Sequence, residues 1–282
     1  MKTRWIWLTA ATLSLAVAMT PSAIAQSRYD DEEPRNRFGI RIGGFHQSNI
    51  ESTIRIDSNT IDLGTIIELE DTLDVDNEVT VARVEGFFRF NPRHRLTWTL
   101  YQTKREGLTT VLEDLQIGDE IFLAGATIDS EWKTSLLKVG WAYSFINVRK
   151  YEFFVGAGLN IRKSELNFEV AQVGGGTIQA DSEDASIPLP VVNLGGRYNF
   201  GKDGGGKTSV IFAYELFSIE VGDFDGAFQD LTILVEHDTF KHVGFGGGLN
   251  TYNFDLELED DEFSGELETR YTGLLLYLKA HF

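Results

Sequence analysis

Three groups of residues have types and spacing that could do chemistry. The stretch GKDGGGKT, Gly201 to Thr208, fits G-x-x-x-x-G-K-[ST], a phosphate-binding loop whose backbone N–H groups would face a nucleotide at a helix N-terminus. His46-Gln47-Ser48 places an imidazole two residues from a hydroxyl, with Glu51 close by. A base beside a hydroxyl is the minimum for nucleophilic catalysis. The run Asp255-Leu256-Glu257-Leu258-Glu259-Asp260-Asp261-Glu262 offers hard oxygen ligands suited to calcium, without the glycine and spacing of an EF-hand loop. What each group can do depends on the element that carries it.

Those elements are strands. The hydrophobic period is two nearly everywhere and no stretch sustains a helical period. Phe38, Ile40 and Ile42 alternate with Arg37, Gly39 and Arg41. Ala82, Val84, Gly86, Phe88 and Phe90 alternate with Arg83, Glu85 and Arg89. The same pattern recurs through Leu96–Tyr101, Leu137–Phe145, Tyr151–Asn160, Val192–Phe200, Val210–Leu216, Leu231–Val235, Val243–Leu249 and Leu274–Phe282. That makes about ten strands, with eight as the alternative because the split near 222–240 is the weakest. Short turns (91–94, 147–150, 201–206, 238–241) alternate with longer polar loops near 58–78, 107–131, 164–186, 222–228 and 259–265. This is the layout of an up-and-down barrel. It also disposes of the phosphate loop. The residues after Lys207, TSVIFAYELFSIEV, alternate and are rich in β-branched and aromatic types, so a strand follows and not a helix. The glycines serve a tight hairpin.

The N-terminus carries Lys2 and Arg4, an apolar run and Ala23-Ile24-Ala25, which read as a secretory signal peptide over 1–25, cleaved before Gln26. Residues 26–36 read as a polar periplasmic tail and 37–282 as the barrel. There are no cysteines, and the net charge is −18. Disulfides and thiol metal sites are excluded, and the acidic balance argues against nucleic acid. The expected fold is therefore all-β, an antiparallel transmembrane barrel with no nucleotide and no cofactor.

The polar face of the strands carries Arg41, Arg83, Glu85, Arg89, Arg95, Lys138, Glu152, Arg162, Arg197, Glu215 and Lys279. Charges facing lipid at mid-bilayer are costly, so this face must line the lumen. There the charges would form a desolvated network or, with positive excess, a narrow gated passage favouring anions. Trp98, Trp141, Tyr143, Tyr151, Tyr198 and Tyr277 read as girdle aromatics. The loops are acidic. Segment 58–78 has seven Asp or Glu and 255–268 has eight, with no Lys or Arg in either. The turns carry Arg93, Arg149, Lys150, Lys202, Lys207 and Lys241. An acidic rim could collect divalent cations and bridge to lipopolysaccharide.

The C-terminal YTGLLLYLKAHF, ending on Phe282, resembles the terminal strand by which Gram-negative outer-membrane barrels are recognised by the barrel assembly machinery. GTIIELEDTLDVDNEVTVARVEGFFRFNPRHRLTWTLYQTKREG (64–107) and IFLAGATIDSEWKTSLLKVGWAYSF (121–145) resemble segments of uncharacterised proteobacterial small barrels, OmpA- or OmpW-like in type. The resemblance implies an outer-membrane location, contact with outer-membrane lipid and lipopolysaccharide, and Phe282 as the assembly signal. It implies no catalytic residues. Two outer-membrane enzyme families bear comparison. Omptin-type proteases use an Asp pair and a His-Asp couple at the extracellular rim, whereas His237-Asp238 falls at a turn. Lipid A deacylases carry a His-x-Ser pair on a lipid-facing strand, as at His46 and Ser48, but the surroundings differ. The expected function is thus a non-enzymatic barrel, structural or forming a narrow passage. The alternatives are a surface binding protein acting through its acidic loops and a lipid-modifying enzyme.

Overall fold

The computed structural model describes residues 36–56, 66–112, 115–117, 120–171, 177–221, 224–259 and 264–282. The readings of 1–25 as signal peptide and of 26–35 as tail lie outside them. In chain order the elements are β1 (Phe38–Ile56), β2 (Ile66–Glu68), α1 (Leu69–Thr72), β3 (Val79–Arg89), β4 (His94–Thr110), β5 (Leu115–Ile117), β6 (Glu120–Phe122), β7 (Thr127–Asn147), β8 (Tyr151–Ala171), β9 (Thr177–Asn199), β10 (Thr208–Val221), β11 (Phe224–His237), β12 (Val243–Glu259) and β13 (Ser264–His281).

Ten of these strands close a barrel. Each long strand pairs antiparallel with its neighbours in the order β1, β3, β4, β7, β8, β9, β10, β11, β12, β13. The ring shuts where β13 returns to β1, from Gly39↔His281 to Ile56↔Gly265. β11 (Phe224–His237) is a strand of the ring, which settles the number at ten rather than eight. Closure pairs β13 back onto β1, so the ring has no terminal edge strand, which is what a barrel in lipid requires.

Side chains alternate as the sequence period predicts. Leu276 is 63% exposed, Leu278 67%, Leu249 57% and Phe245 53%. An apolar belt this exposed on all sides is at home in lipid and not in water. Tyr143, Tyr151 and Tyr198 face outward at the turn end. Tyr277 does not: it is 7% exposed and points into the lumen. Its position puts it on the parity of Lys279 and away from Leu276 and Leu278, and pleat direction outranks residue type.

The acidic segments near 107–131 and 164–186 are largely strand and not loop. β7 and β8 have 21 residues each, about twice the roughly 9–11 needed to cross a bilayer. β8 and β9 stay paired up to Ala171↔Thr177. The upper halves of the strands therefore stand above the membrane, where charge on the outer face costs little. At Gly201–Thr208 the chain makes a short 3-10 turn, Lys202–Gly204, and passes directly into β10. Gly201 has φ 90° and Gly204 φ 77°, a region open to glycine.

Candidate functional site

The lumen is the site. Inward parity delivers one charged or aromatic side chain from most strands at each level, and register decides which ones meet.

Three carboxylate centres organise the lower half. Glu236, 1% exposed, accepts hydrogen bonds from Arg41 Nε at 2.8 Å, Lys279 Nζ at 2.9 Å, Arg197 Nη2 at 3.1 Å and the Tyr277 hydroxyl at 3.1 Å. Glu152, also 1% exposed, is held by Arg89 at 3.1 Å, by Arg95 at 3.4 Å and by the Ser144 hydroxyl. Between them Glu85 bridges Arg83 at 2.5 Å and Arg41 at 3.2 Å. Higher, Lys138 Nζ donates to Asp230 at 2.5 Å and to Glu215 at 2.7 Å, and Asn250 also donates to Asp230.

The eleven residues expected to line the lumen face inward, all but Arg162 in these clusters. Sequence reading missed Glu236 and Asp230, the carboxylates with the most partners. Their parity was legible, since Glu236 follows the outward Val235. Asp230 lies between the 222–228 segment that reads as a loop and the alternating run that begins at Leu231. With both in place the inward cations Arg41, Arg83, Arg89, Arg95, Lys138, Arg162, Arg197 and Lys279 still outnumber the carboxylates Glu85, Glu152, Glu215, Asp230 and Glu236.

Above the charges lies an aromatic layer. Tyr252 stacks on Tyr271 with ring centroids 4.7 Å apart, the Tyr101 and Tyr271 hydroxyls share a 2.8 Å hydrogen bond, and Phe45, Phe228 and Phe254 are at most 2% exposed. Arg162 reaches the Tyr252 hydroxyl at 3.3 Å and lies over the Phe254 ring.

The mouth carries its own stopper. β2 pairs with β1 through Ile54↔Ile67, and α1 and Val75 then turn inward. Ile67, Leu69, Leu73 and Val75 pack against inward-facing Val111, Ile128, Trp132, Phe168 and Val170. Arg105 donates to Glu70 Oε1 at 2.5 Å, to the Asp76 carbonyl at 3.1 Å and to the Ser52 hydroxyl at 2.9 Å. The first acidic loop was expected at the outer rim, but these residues of it lie within the mouth. A four-residue helix and a three-residue strand are too short to show a period.

The other candidate groups are placed apart. His46 and Ser48 face outward. His46 Nδ1 is 2.9 Å from Thr80 Oγ1, and the Ser48 hydroxyl donates to the Thr272 carbonyl at 3.3 Å. No nucleophile–base hydrogen bond joins the pair. His94, His237, His242 and His281 sit at the turn end, so none of the five histidines reaches the loop rim.

Asp255, Glu266 and Glu268 bring carboxylate oxygens within 4.8 Å of one another on the outer face above the apolar belt. Arg55 already pairs with Glu266 at 3.1 Å, and Arg270 with Glu268 at 3.3 Å. Burial, then Glu268 and Glu266, push the Asp255 carboxyl up to about 6. The folded protein thus holds this proton more tightly than the unfolded chain does. The associated stability is present at low pH and is lost as pH rises through about 6. Melting curves of Asp255→Asn are expected to exceed wild type at pH 7 and to lose that advantage by pH 4. An advantage independent of pH would remove the titration from the account.

The ring of ten antiparallel strands, with its exposed apolar belt and its interior of ion pairs, matches the fold of solved barrels. The outer membrane protease OmpT of Escherichia coli superposes with a TM-score of 0.52 at 9% identity, over 88% of this chain and 97% of that one. This is the outer-membrane barrel fold. The outer-membrane barrels Ail of Yersinia pestis (TM-score 0.34, 12% identity, 88% of this chain and 100% of that) and OprG of Pseudomonas aeruginosa (0.35, 10%, 88% and 96%) also align. No protein-family model matches the sequence, and no curated protein is similar to it. The chain has the fold of Gram-negative outer-membrane β-barrels. At these identities the likeness speaks to the fold alone.

Proposed function

We propose that this outer-membrane barrel is non-enzymatic and closed at rest, its lumen filled by its own ion pairs and its mouth stoppered by residues 66–76. The observation that carries the reading is the burial of the stopper, with Leu69 1% and Leu73 0% exposed among inward-facing strand residues. Beneath it lie an aromatic layer and then carboxylates that are 1% exposed. A solute would have to displace three successive layers. The absence of enzymatic activity is supported by the placement of the histidines and by the Ser48 hydroxyl being turned to a backbone carbonyl. Outer-membrane lipid and lipopolysaccharide surround the belt. Assembly through the terminal strand fits the closing seam, where Phe282 exchanges backbone hydrogen bonds with Phe38 at 2.9 and 3.0 Å.

Single-channel recording of the refolded protein in a planar bilayer tests this. Wild type is expected to be silent, and Arg105→Ala, which unlatches Glu70, to give at most brief openings. Discrete anion-preferring openings in wild type that change in Glu85→Ala would overturn the reading and establish a passage. A second reading, a surface binding protein acting through divalent cations, is favoured by the Asp255, Glu266 and Glu268 cluster. Its weakness is that Arg55 and Arg270 already neutralise two of the three carboxylates.

A further inference from the structure

Among the described strands the barrel wall parts in two places: between β9 and β10, whose ladder ends at Leu216↔Val192 although both strands run on, and between β3 and β4. The β3–β4 ladder runs from Arg89↔Arg95 to Arg83↔Tyr101 and stops. β4 next meets the preceding chain at Val75↔Gly107, with a hydrogen bond from Asp76 N–H to the Glu106 carbonyl. Meanwhile β3 stays paired with β1 up to Gln47↔Val79, and β4 with β7 up to Thr110↔Thr127. Two strand edges, 79–82 and 102–105, therefore face each other without a ladder. A cavity of about 270 Å³ lies between them, lined by Val79, Thr80, Val81, Gln102, Lys104 and Lys133.

The cavity has two ends of different chemistry. Val79 and Val81 point inward and pack on the cluster of Phe45, Tyr101 and Leu136. Thr80, Gln102, Lys104 and Lys133 point outward, so the cavity lies in the plane of the wall. Just below it on the outer face are Leu100, Leu137 and Val139, exposed by 53%, 38% and 40%, which mark the top of the apolar belt. The lip carries two lysines and two glutamates. Lys104 and Lys133 stand directly opposite each other in the β4–β7 ladder, where like charges repel. Glu106 and Glu131 offset them, with Lys104 2.5 Å from Glu106 and 2.6 Å from Glu131. Such exposed pairs are individually weak, so a phosphate or carboxylate can displace them. Unpaired backbone is not tolerated in hydrocarbon. At the boundary, the ester or amide groups beside a lipid headgroup are at the level to meet it.

The geometry points to a wall site for one acyl chain of an anionic amphiphile of the outer leaflet, its chain end on Val79 and Val81 and its phosphate or carboxylate on Lys104 and Lys133. The site is independent of whether the lumen conducts. Because the cavity lies a little below the roughly 300–1,000 Å³ of drug-sized ligand pockets, it takes part of one chain and not a whole lipid.

Native mass spectrometry of the refolded protein in micelles tests it, titrating bisphosphorylated lipid A, palmitate and, as a zwitterionic control, phosphatidylcholine. Wild type is expected to retain one lipid A saturably. Lys104→Gln/Lys133→Gln should weaken retention by about tenfold or more, the effect of losing two near-surface cations. Val81→Phe, which fills the floor, should abolish it. Should Val81→Phe fail to fold, the lysine variant carries the test, since those side chains are 48% and 34% exposed. Palmitate bound with the same lysine dependence, and lipid A not bound, would assign the site to a free fatty acid. No saturable complex, equal retention of phosphatidylcholine, or binding untouched by the lysine variant would overturn the proposal.

Discussion

Glu236→Ala is expected to lower the unfolding free energy by about 3–5 kcal/mol, the cost of removing one partner from a buried ion cluster. Glu236 is the common acceptor of Arg41, Arg197 and Lys279 and also takes the Tyr277 hydroxyl. Without it Arg197 loses the carboxylate it donates to, Arg41 keeps Glu85, and Lys279 keeps Asp238 at 2.7 Å. Three cations, two of them a fifth to a quarter exposed, then share too little negative charge. The check is a urea titration of the barrel in lipid vesicles, read by tryptophan fluorescence, with Glu236→Gln beside it. Glutamine keeps the shape and some hydrogen bonds but not the charge, so its deficit reports the electrostatic part alone. A midpoint within about 1 kcal/mol of wild type would mean that water enters and screens the cluster. The closed lumen of the proposed function would then fall with it.

The second large effect is steric. Gly43→Val is expected to cost at least the roughly 1–3 kcal/mol of ordinary overpacking and to leave much of the protein without the heat-modifiable gel mobility of a closed barrel. A Cβ at Gly43 would lie 2.1 Å from the Leu276 carbonyl oxygen and 2.5 Å from Tyr277 Cα. Both are backbone positions of β13 that cannot swing aside, and this is the seam where the barrel shuts. Gly44→Val, one residue on, is the control, because a Cβ there meets nothing within 4 Å and points to lipid. Equal mobility of the two variants would show that the seam relaxes, and the close approach of β1 to β13 would lose its significance.

The two variants probe different kinds of information. That residue 43 faces inward and residue 44 outward is written in the sequence, because a strand alternates and lipid accepts apolar side chains alone. The same rule placed Arg41, Arg83, Glu85, Arg89, Arg95, Lys138, Glu152, Arg197 and Glu215 in the interior, and it reduced GKDGGGKT to a hairpin. It would have placed Tyr277 inward as well, had aromatic type not been given precedence over position.

Alternation fixes a face but not a height. Which cation meets Glu236 depends on strand tilt and stagger, which bring Arg41, Arg197 and Lys279 to one level from three strands. No local signal encodes that. Nor does local sequence show where pairing ends above the membrane, since a strand projecting into water may be as acidic as a loop. The stopper at 66–76 and the break between β3 and β4 are of the same kind. Both arise because β1 exchanges β3 for β2 as its neighbour above Gln47, and the chain between those two strands then has the mouth of the barrel to fill. The sequence by itself determined a lipid-facing barrel and the contents of its lumen. The tertiary structure decided how those contents neutralise one another, what closes the mouth and where the wall opens, because these depend on distances between strands far apart in the chain.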